Sequence, residues 1–205
     1  IDGFTGQEAE IPVAERPEID RWILSELNSL IRDVTASLED YDPTPAARRI
    51  DQFVNENLSN WYVRLNRKRF WGGELAADKL AAYQTLYTCL ETVAMLAAPI
   101  APFITDRIFC DLNAASGRHA ESSVHLASYP KCDESLIDSE LEDMMQLAQR
   151  TSSMVLALRR KVNIKVRQPL QAIMIPAVDA DQKKHIEAVK DLIMNEVNVK
   201  ELRFV

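Results

Sequence analysis

The residues best equipped for chemistry lie in one stretch, Asn55–Trp71 (NENLSNWYVRLNRKRFW). There two tryptophans, a tyrosine and a phenylalanine interleave with Arg64, Arg67, Lys68 and Arg69. Cationic side chains match an anionic backbone, and flat aromatic faces accept stacked bases, so the combination suits nucleic acid. The same composition also describes a core helix with a charged outer face. A second basic segment, residues 155–171, holds Arg159, Arg160, Lys161, Lys165 and Arg167 and no acid. The formal net charge is −7, so both segments are basic islands on an acidic body. That distribution grips a polyanion at one face and repels it elsewhere.

Catalytic and metal chemistry find no foothold in the residue pattern. The five glycines form neither a dinucleotide fingerprint nor a phosphate loop, and no Gly-x-Ser-x-Gly elbow occurs. Cys89, Cys110 and Cys132 make no Cys-x-x-Cys pair, and His119, His125 and His185 are scattered. The spacing indicates free thiols in a reducing compartment rather than zinc or disulfides. The acids Glu140, Glu142 and Asp143 read as helix-start electrostatics. The expectation is a binding domain with no catalytic residues and no metal ligands.

The elements that must carry these residues are mostly helical. Residues 1–17 contain Gly3, Gly6, Pro12 and Pro17 and read as a linker or lead-in strand. A first helix opens near Pro17, and Ile23, Leu27, Leu30, Val34, Leu38 and Tyr41 form its apolar stripe. Thr44 is the expected cap of a second helix, with Pro45 at its first position. Ile50, Val54, Leu58, Trp61 and Leu65 share one face of it, which assigns Trp61 to the core. Arg49, Asn60, Arg64, Arg67 and Trp71 cluster beside that face on a wheel of about 100° per residue. Gly72-Gly73 closes the helix.

A third helix runs over 75–98 with Leu80, Tyr83, Tyr87, Leu90, Ala94 and Ala97 inward. Pro99 and Pro102 then break the chain, and a shorter helix follows with Phe103, Ile104, Ile108 and Leu112 inward. Residues 113–136 lack a period and read as a surface excursion. Ser139 and Glu142 make a capping box for a fifth helix, whose apolar face is Leu141, Met145, Ala148, Val155, Leu158 and Val162. Leu170–Ile175 reads as a strand, and Asp179 with Gln182 caps a sixth helix bearing Ile186, Val189 and Ile193. Val199–Val205 reads as a second strand. The predicted fold is mainly α: an antiparallel bundle of about five helices over 18–162, after a lead-in at 1–17. A small α/β appendage, strand–helix–strand, occupies 163–205. No apolar run spans a bilayer and no signal peptide is evident. The first residue, Ile1, and the closing strand suggest a piece of a longer protein.

Ser59–Trp71 (SNWYVRLNRKRFW) resembles the signature of the helical anticodon-binding domain of class I isoleucyl-, valyl- and leucyl-tRNA synthetases. Asp20–Ile31 is similar to that family's first bundle helix, and Leu96–Phe109 to its proline-broken helix pair. Ser123–Pro130 resembles a motif with tryptophan before the proline, where this chain has Tyr129. Asp2–Trp22, Lys161–Pro176 and Asn195–Val205 resemble the isoleucyl branch; the valyl type is the alternative.

The resemblance implies a domain that clamps the anticodon stem-loop of isoleucine tRNA. Catalytic and editing domains lie upstream, and the parent enzyme uses ATP and magnesium in the cytoplasm. No cofactor is expected within these residues. Because loop bases stack on flat cationic or aromatic faces, Arg64, Arg67 and Arg69 are expected to make backbone or loop contact and Trp71 to offer a stacking surface. Arg159, Arg160, Lys165 and Arg167 form a second electrostatic wall. A different reading of the residues alone is a helical protein–protein module whose basic helix docks an acidic partner.

Overall fold

A computed structural model describes residues 3–71, 74–176 and 179–205. It divides into two compact units, Ile1–Ile137 and Asp138–Val205. The architecture is mainly α, as predicted, with eight α-helices and one two-stranded parallel sheet among the described residues. The expected boundary at 162/163 falls inside the second unit.

In the first unit, α1 (Glu18–Glu39) follows Pro17, with Glu18 and Asp20 in its first turn. Acids suit that end of the helix dipole. Ile23, Leu27, Leu30 and Val34 are buried as their spacing demands. Tyr41 does not join the stripe: the helix has ended, and the residue sits at φ 57 with 94% exposure.

Helix α2 (Pro43–Gln52) starts two residues before the expected position. Asp42 caps it by accepting from the Thr44 amide at 3.1 Å, and Pro43 rather than Pro45 occupies the first helical position. The chain continues as a π-helical segment, Phe53–Val63, and then as α3 (Arg67–Trp71). An i→i+5 turn is wider than an α turn, so the expected wheel does not hold through it. Phe53, Asn57 and Tyr62 join Leu58 and Trp61 in the interior, and Val54 is only half-buried. The expected terminator Gly72-Gly73 lies outside the described residues.

Helix α4 (Ala77–Ala97) packs against α1, α2, α3 and α5 (Pro102–Ser116). Burial therefore covers more than one stripe: Ala81, Ala82, Gln84, Thr85, Tyr87, Cys89, Ala94 and Leu96 are inside. Leu90, expected inward, is exposed. In α5 the expected face is reversed. Thr105, Phe109 and Ser116 are buried, while Phe103, Ile104 and Ile108 face solvent. Phe109 packs with Ala98 and Val124, so the inward frame is set by what the preceding proline-broken turn and the following segment can cover.

That segment, 113–136, holds two 3-10 turns. Val124–Leu126 is capped by Ser123 and Glu134–Leu136 by Asp133. The lead-in is tied down as well. The Gln84 side chain accepts from the Ile11 amide at 3.0 Å and donates to the Ala9 carbonyl at 2.9 Å. Buried Arg16 donates to the Ile11 carbonyl and to Thr85 Oγ1, each at 2.9 Å.

In the second unit, α6 (Ser139–Lys161) is capped by Asp138, which accepts from the Leu141 amide at 3.0 Å; Ser139 is already helical. Leu141, Met145 and Ala148 are buried as expected, but Leu158 and Val162 are exposed, and Thr151, Ser152 and Arg159 are inside instead. Strand β1 (Ile173–Ile175) pairs in parallel with β2 (Leu202–Phe204), Ile173 opposite Leu202. Between them the expected sixth helix is two, α7 (Ala180–Ala188) and α8 (Lys190–Val197), divided at Val189. Asp179 caps α7 by accepting from the Gln182 amide at 2.6 Å, and Ile186, Val189 and Ile193 are buried as predicted.

Candidate nucleic-acid interface

The basic stretch is built on a buried carboxylate. Asp20 is wholly inside the first unit, where a charge survives only if it is paired and hydrogen-bonded. Arg69 supplies the pair, its two terminal nitrogens lying 2.8 and 2.9 Å from the two Asp20 oxygens. The Tyr62 hydroxyl adds a third bond at 2.8 Å. Arg69 also donates from Nε to Asp78 Oδ2 at 3.0 Å, to the Asp78 carbonyl at 2.8 Å and to Asn66 Oδ1 at 2.8 Å. Burial opposes its charge, yet the hydrogen bonds and charges of Asp20 and Asp78 hold the guanidinium above its ordinary pKa. Burial first, and Asp20 second, push the Tyr62 phenol up. One guanidinium thus joins α3 to α1 and α4. Arg69, expected to touch a ligand, is turned inward.

Its neighbours are turned outward. Arg64, Arg67, Lys68 and Trp71 are exposed. The Arg64 Nε donates to the Asn60 carbonyl at 2.8 Å, which sets the direction of its side chain along the π segment. The Arg67 guanidinium lies 4.9 Å from the centre of the Trp71 ring, and that indole is 70% exposed. A guanidinium and an indole one helical turn apart make a stacked cation–π pair. Trp61, by contrast, is buried, as its spacing indicated. Phe70 underlies α3, edge-on to Tyr62 and Tyr83 at 6.2 and 5.6 Å between ring centres.

The second basic segment divides in the same way. Arg159 is 2% exposed. It donates to the carbonyls of Lys165 and Gln168 at 3.2 and 3.0 Å and to that of Asn198 at 3.0 Å. Asn198, in the left-handed region at φ 52, returns a bond to the Val166 carbonyl at 2.8 Å. Arg159 is therefore a brace beneath the loop that leaves α6. Arg160, Lys161, Lys165 and Arg167 are exposed on that helix end and loop.

Asp20, Tyr62, Asn66 and Asp78 are the structural partners that the sequence reading missed. Asp20 was legible only as an acid at a helix start, because its partner is 49 residues away. His119 makes a local clamp: its Nε2 is 2.8 Å from Glu91, and its ring rests 4.9 Å from that of Phe109. Among the described residues no cluster of histidine, cysteine or carboxylate groups is arranged to hold a metal ion. No helix among them is long and apolar enough to cross a membrane.

The family described as "Anticodon-binding domain of tRNA ligase" matches residues 20–174. The chain is similar to the isoleucine–tRNA ligase of Bacteroides thetaiotaomicron, at 67% identity over 205 residues, covering 100% of this chain and 18% of that protein. It is similar to the isoleucine–tRNA ligase of Porphyromonas gingivalis at 62% identity, with coverage of 100% and 18%. The isoleucine–tRNA ligase of Thermus thermophilus aligns at 42% identity over 192 residues, 94% of this chain and 18% of that protein. The chain spans 18% of the length of these curated relatives.

Proposed function

Because the chain belongs to the family of anticodon-binding domains of tRNA ligases, we propose that it holds the anticodon stem-loop of isoleucine tRNA. The catalytic domain of a longer ligase, outside residues 1–205, then charges the 3′ end using ATP and magnesium. The observation that carries this reading is the exposed Arg67–Trp71 stack beside Arg64. An A-form duplex offers proteins mainly phosphates and 2′-hydroxyls, whereas unstacked loop bases can lie on aromatic or guanidinium planes. Trp71 and Arg67 suit a loop base, and Arg64 suits the adjoining phosphate. Arg160, Lys165 and Arg167 are a second set of phosphate contacts. Arg69 and Arg159 act by holding these groups in place.

The test is tRNA binding by the full-length ligase carrying Arg64→Ala with Arg67→Ala, measured across a salt series. The slope of log affinity against log salt falls by about one for each phosphate contact removed. Unchanged affinity together with an unchanged slope sinks this assignment.

A further inference from the structure

In the first unit a crevice of about 250 Å³ opens between the lead-in, α1, α4 and the loop over 130–136. Its floor is apolar, made by Leu24, Leu27 and Ile31 of α1, all buried. Its sides are already tied. Asn28 donates to the Leu24 carbonyl and accepts from the Asp133 amide, both at 2.9 Å, which fixes the loop. Gln84 of α4 holds the lead-in at Ala9 and Ile11. A concave site with an apolar floor and bonded walls is preformed for a small ligand.

Arg16 stands in the wall of this crevice, and it is a buried cation short of negative charge. Its side chain is 1% exposed. Among the described residues its one ion pair is with Glu10, at 3.4 Å, an acid whose own side chain is 76% exposed. A carboxylate so open to water offsets little of what burying a guanidinium costs. Asp20, the other acid whose charge reaches Arg16, has its oxygens bonded to Arg69 and Tyr62. The remaining partners are neutral: the Ile11 carbonyl, Thr85 Oγ1 and, at 3.5 Å, Gln84 Oε1. A guanidinium offers five N–H groups, two of them on Nη1, yet Nη1 makes only the bond to Thr85. Burial accordingly draws the Arg16 pKa below its ordinary value, against the pull of Glu10 and Asp20. Lys131 lines the same crevice from an exposed position and adds a second cation.

We propose that this crevice is a binding site for a small aliphatic carboxylate. Its carboxylate takes the place of Glu10 on Arg16, close to Lys131, and its short hydrocarbon tail lies on Leu24, Leu27 and Ile31. Charge-assisted bonds between guanidinium and carboxylate are stronger than the neutral ones Arg16 now makes. A phosphate group alone would leave the apolar floor uncovered, and an uncharged hydrocarbon would leave Arg16 as it is. Glu10 is the displaceable counter-ion. An occupied crevice would join the lead-in, which carries Glu10 and Arg16, more firmly to α4, which carries Gln84 and Thr85.

Hexanoate serves as the probe, titrated into the full-length ligase without RNA and followed by calorimetry and by amide exchange. The expected result is millimolar binding with slower exchange over residues 9–16 and 84–92. Hexanol, with the same tail and no charge, should bind at least about tenfold more weakly, the effect of losing a charge-assisted hydrogen bond. Glu10→Gln removes the competing acid at an exposed position, so it should bind hexanoate several-fold more tightly. Lys131→Gln should bind it more weakly. Equal affinity for hexanol and hexanoate overturns the proposal, as does affinity unchanged or lowered in Glu10→Gln. Binding that leaves exchange over 9–16 and 84–92 unaltered, or no binding at millimolar hexanoate, overturns it as well. No RNA is present, so these outcomes stand apart from tRNA binding by the arginine variants.

Discussion

Asp20 and Arg69 meet in a two-pronged ion pair, at 2.8 and 2.9 Å, between the first turn of α1 and the short helix α3. Asp20 is fully buried and the Arg69 side chain is 17% exposed, so the pair is part of the interior. It explains how a segment with four cations within six residues, Arg64–Arg69, folds against a protein core. One cation is spent inward on Asp20 and Asp78, and that bond orients α3 so that Arg67 and Trp71 point out.

Removing Arg69 is therefore a stability experiment. Breaking a buried pair leaves an uncompensated charge and costs about 3–5 kcal/mol. Arg69→Ala should lose that much in urea unfolding. Arg69→Lys should recover only part of it, because an ammonium cannot make the two-pronged contact. Arg64→Ala and Arg67→Ala, at exposed positions, should stay within about 0.5 kcal/mol of the parent. Equal losses for all three arginines would contradict the division between inward and outward cations.

Burial also predicts a response to alkali. Burial pushes the Cys89 thiol and the Tyr62 phenol well above their ordinary values of 9.0 and 10.0. Each is therefore still protonated in the folded chain when the unfolded chain has released its proton. Stability is complete below pH 9 and falls as pH rises above the ordinary values, since the unfolded state binds fewer protons there. Urea midpoints measured from pH 8 upward should hold to about pH 9 and decline above it, and Cys89→Ala should flatten the first part of the decline. A midpoint independent of pH up to 11 would show that these groups titrate alike in both states.

Capping offers a local check on two helix starts. Asp42 and Asp138 carry the caps of α2 and α6, so replacing either by alanine should cost about 0.5–2 kcal/mol. Thr44→Ala and Ser139→Ala, at the positions the sequence favoured, should cost less than the aspartate variants. The reverse order in thermal melts would restore the sequence-based caps.

The α1 stripe was legible because Ile23, Leu27, Leu30 and Val34 repeat at helical spacing and are all buried. The two strands around a helical segment were legible from the switch in period after Lys161, but not their parallel pairing. The interior of α4 was not, because that helix has neighbours on several sides and its alanines and threonines carry little contrast. The reversed face of α5 misled for the opposite reason, its strongest apolar residues being outside. In Asp42-Pro43-Thr44-Pro45 both registers satisfy the capping rules, and packing chose between them. Arg67 and Arg69 are identical in type and both lie in α3; only the distant carboxylate of Asp20 separates solvent-facing from core-facing.

The loop after α6 should behave as a braced surface. Arg159 holds three carbonyls from below, so Arg159→Ala takes one bond from each, while those of Lys165 and Asn198 still accept from the Gln168 and Leu170 amides. Amide exchange over residues 163–169 should rise, with a loss of about 1.5–3 kcal/mol for hydrogen bonds donated by a charged group. Lys165→Ala with Arg167→Ala should leave exchange unchanged and lower the salt slope of tRNA binding. If the double variant instead loosens the loop while Arg159→Ala does not, the brace has been assigned to the wrong cation.

Trp71 separates stacking from charge. Its indole is exposed and carries the Arg67 guanidinium on its face, so nothing in the core depends on it. Trp71→Ala should melt with the parent protein. It should weaken binding of the anticodon stem-loop by about 1–3 kcal/mol, the range for losing one stacked base. Because no phosphate contact is removed, the salt slope should stay that of the parent, unlike the slope of Arg64→Ala. Trp71→Phe should keep part of the affinity through its smaller ring. Binding by Trp71→Ala equal to the parent's would remove the indole from the interface and leave Arg64 and Arg67 acting as charges alone.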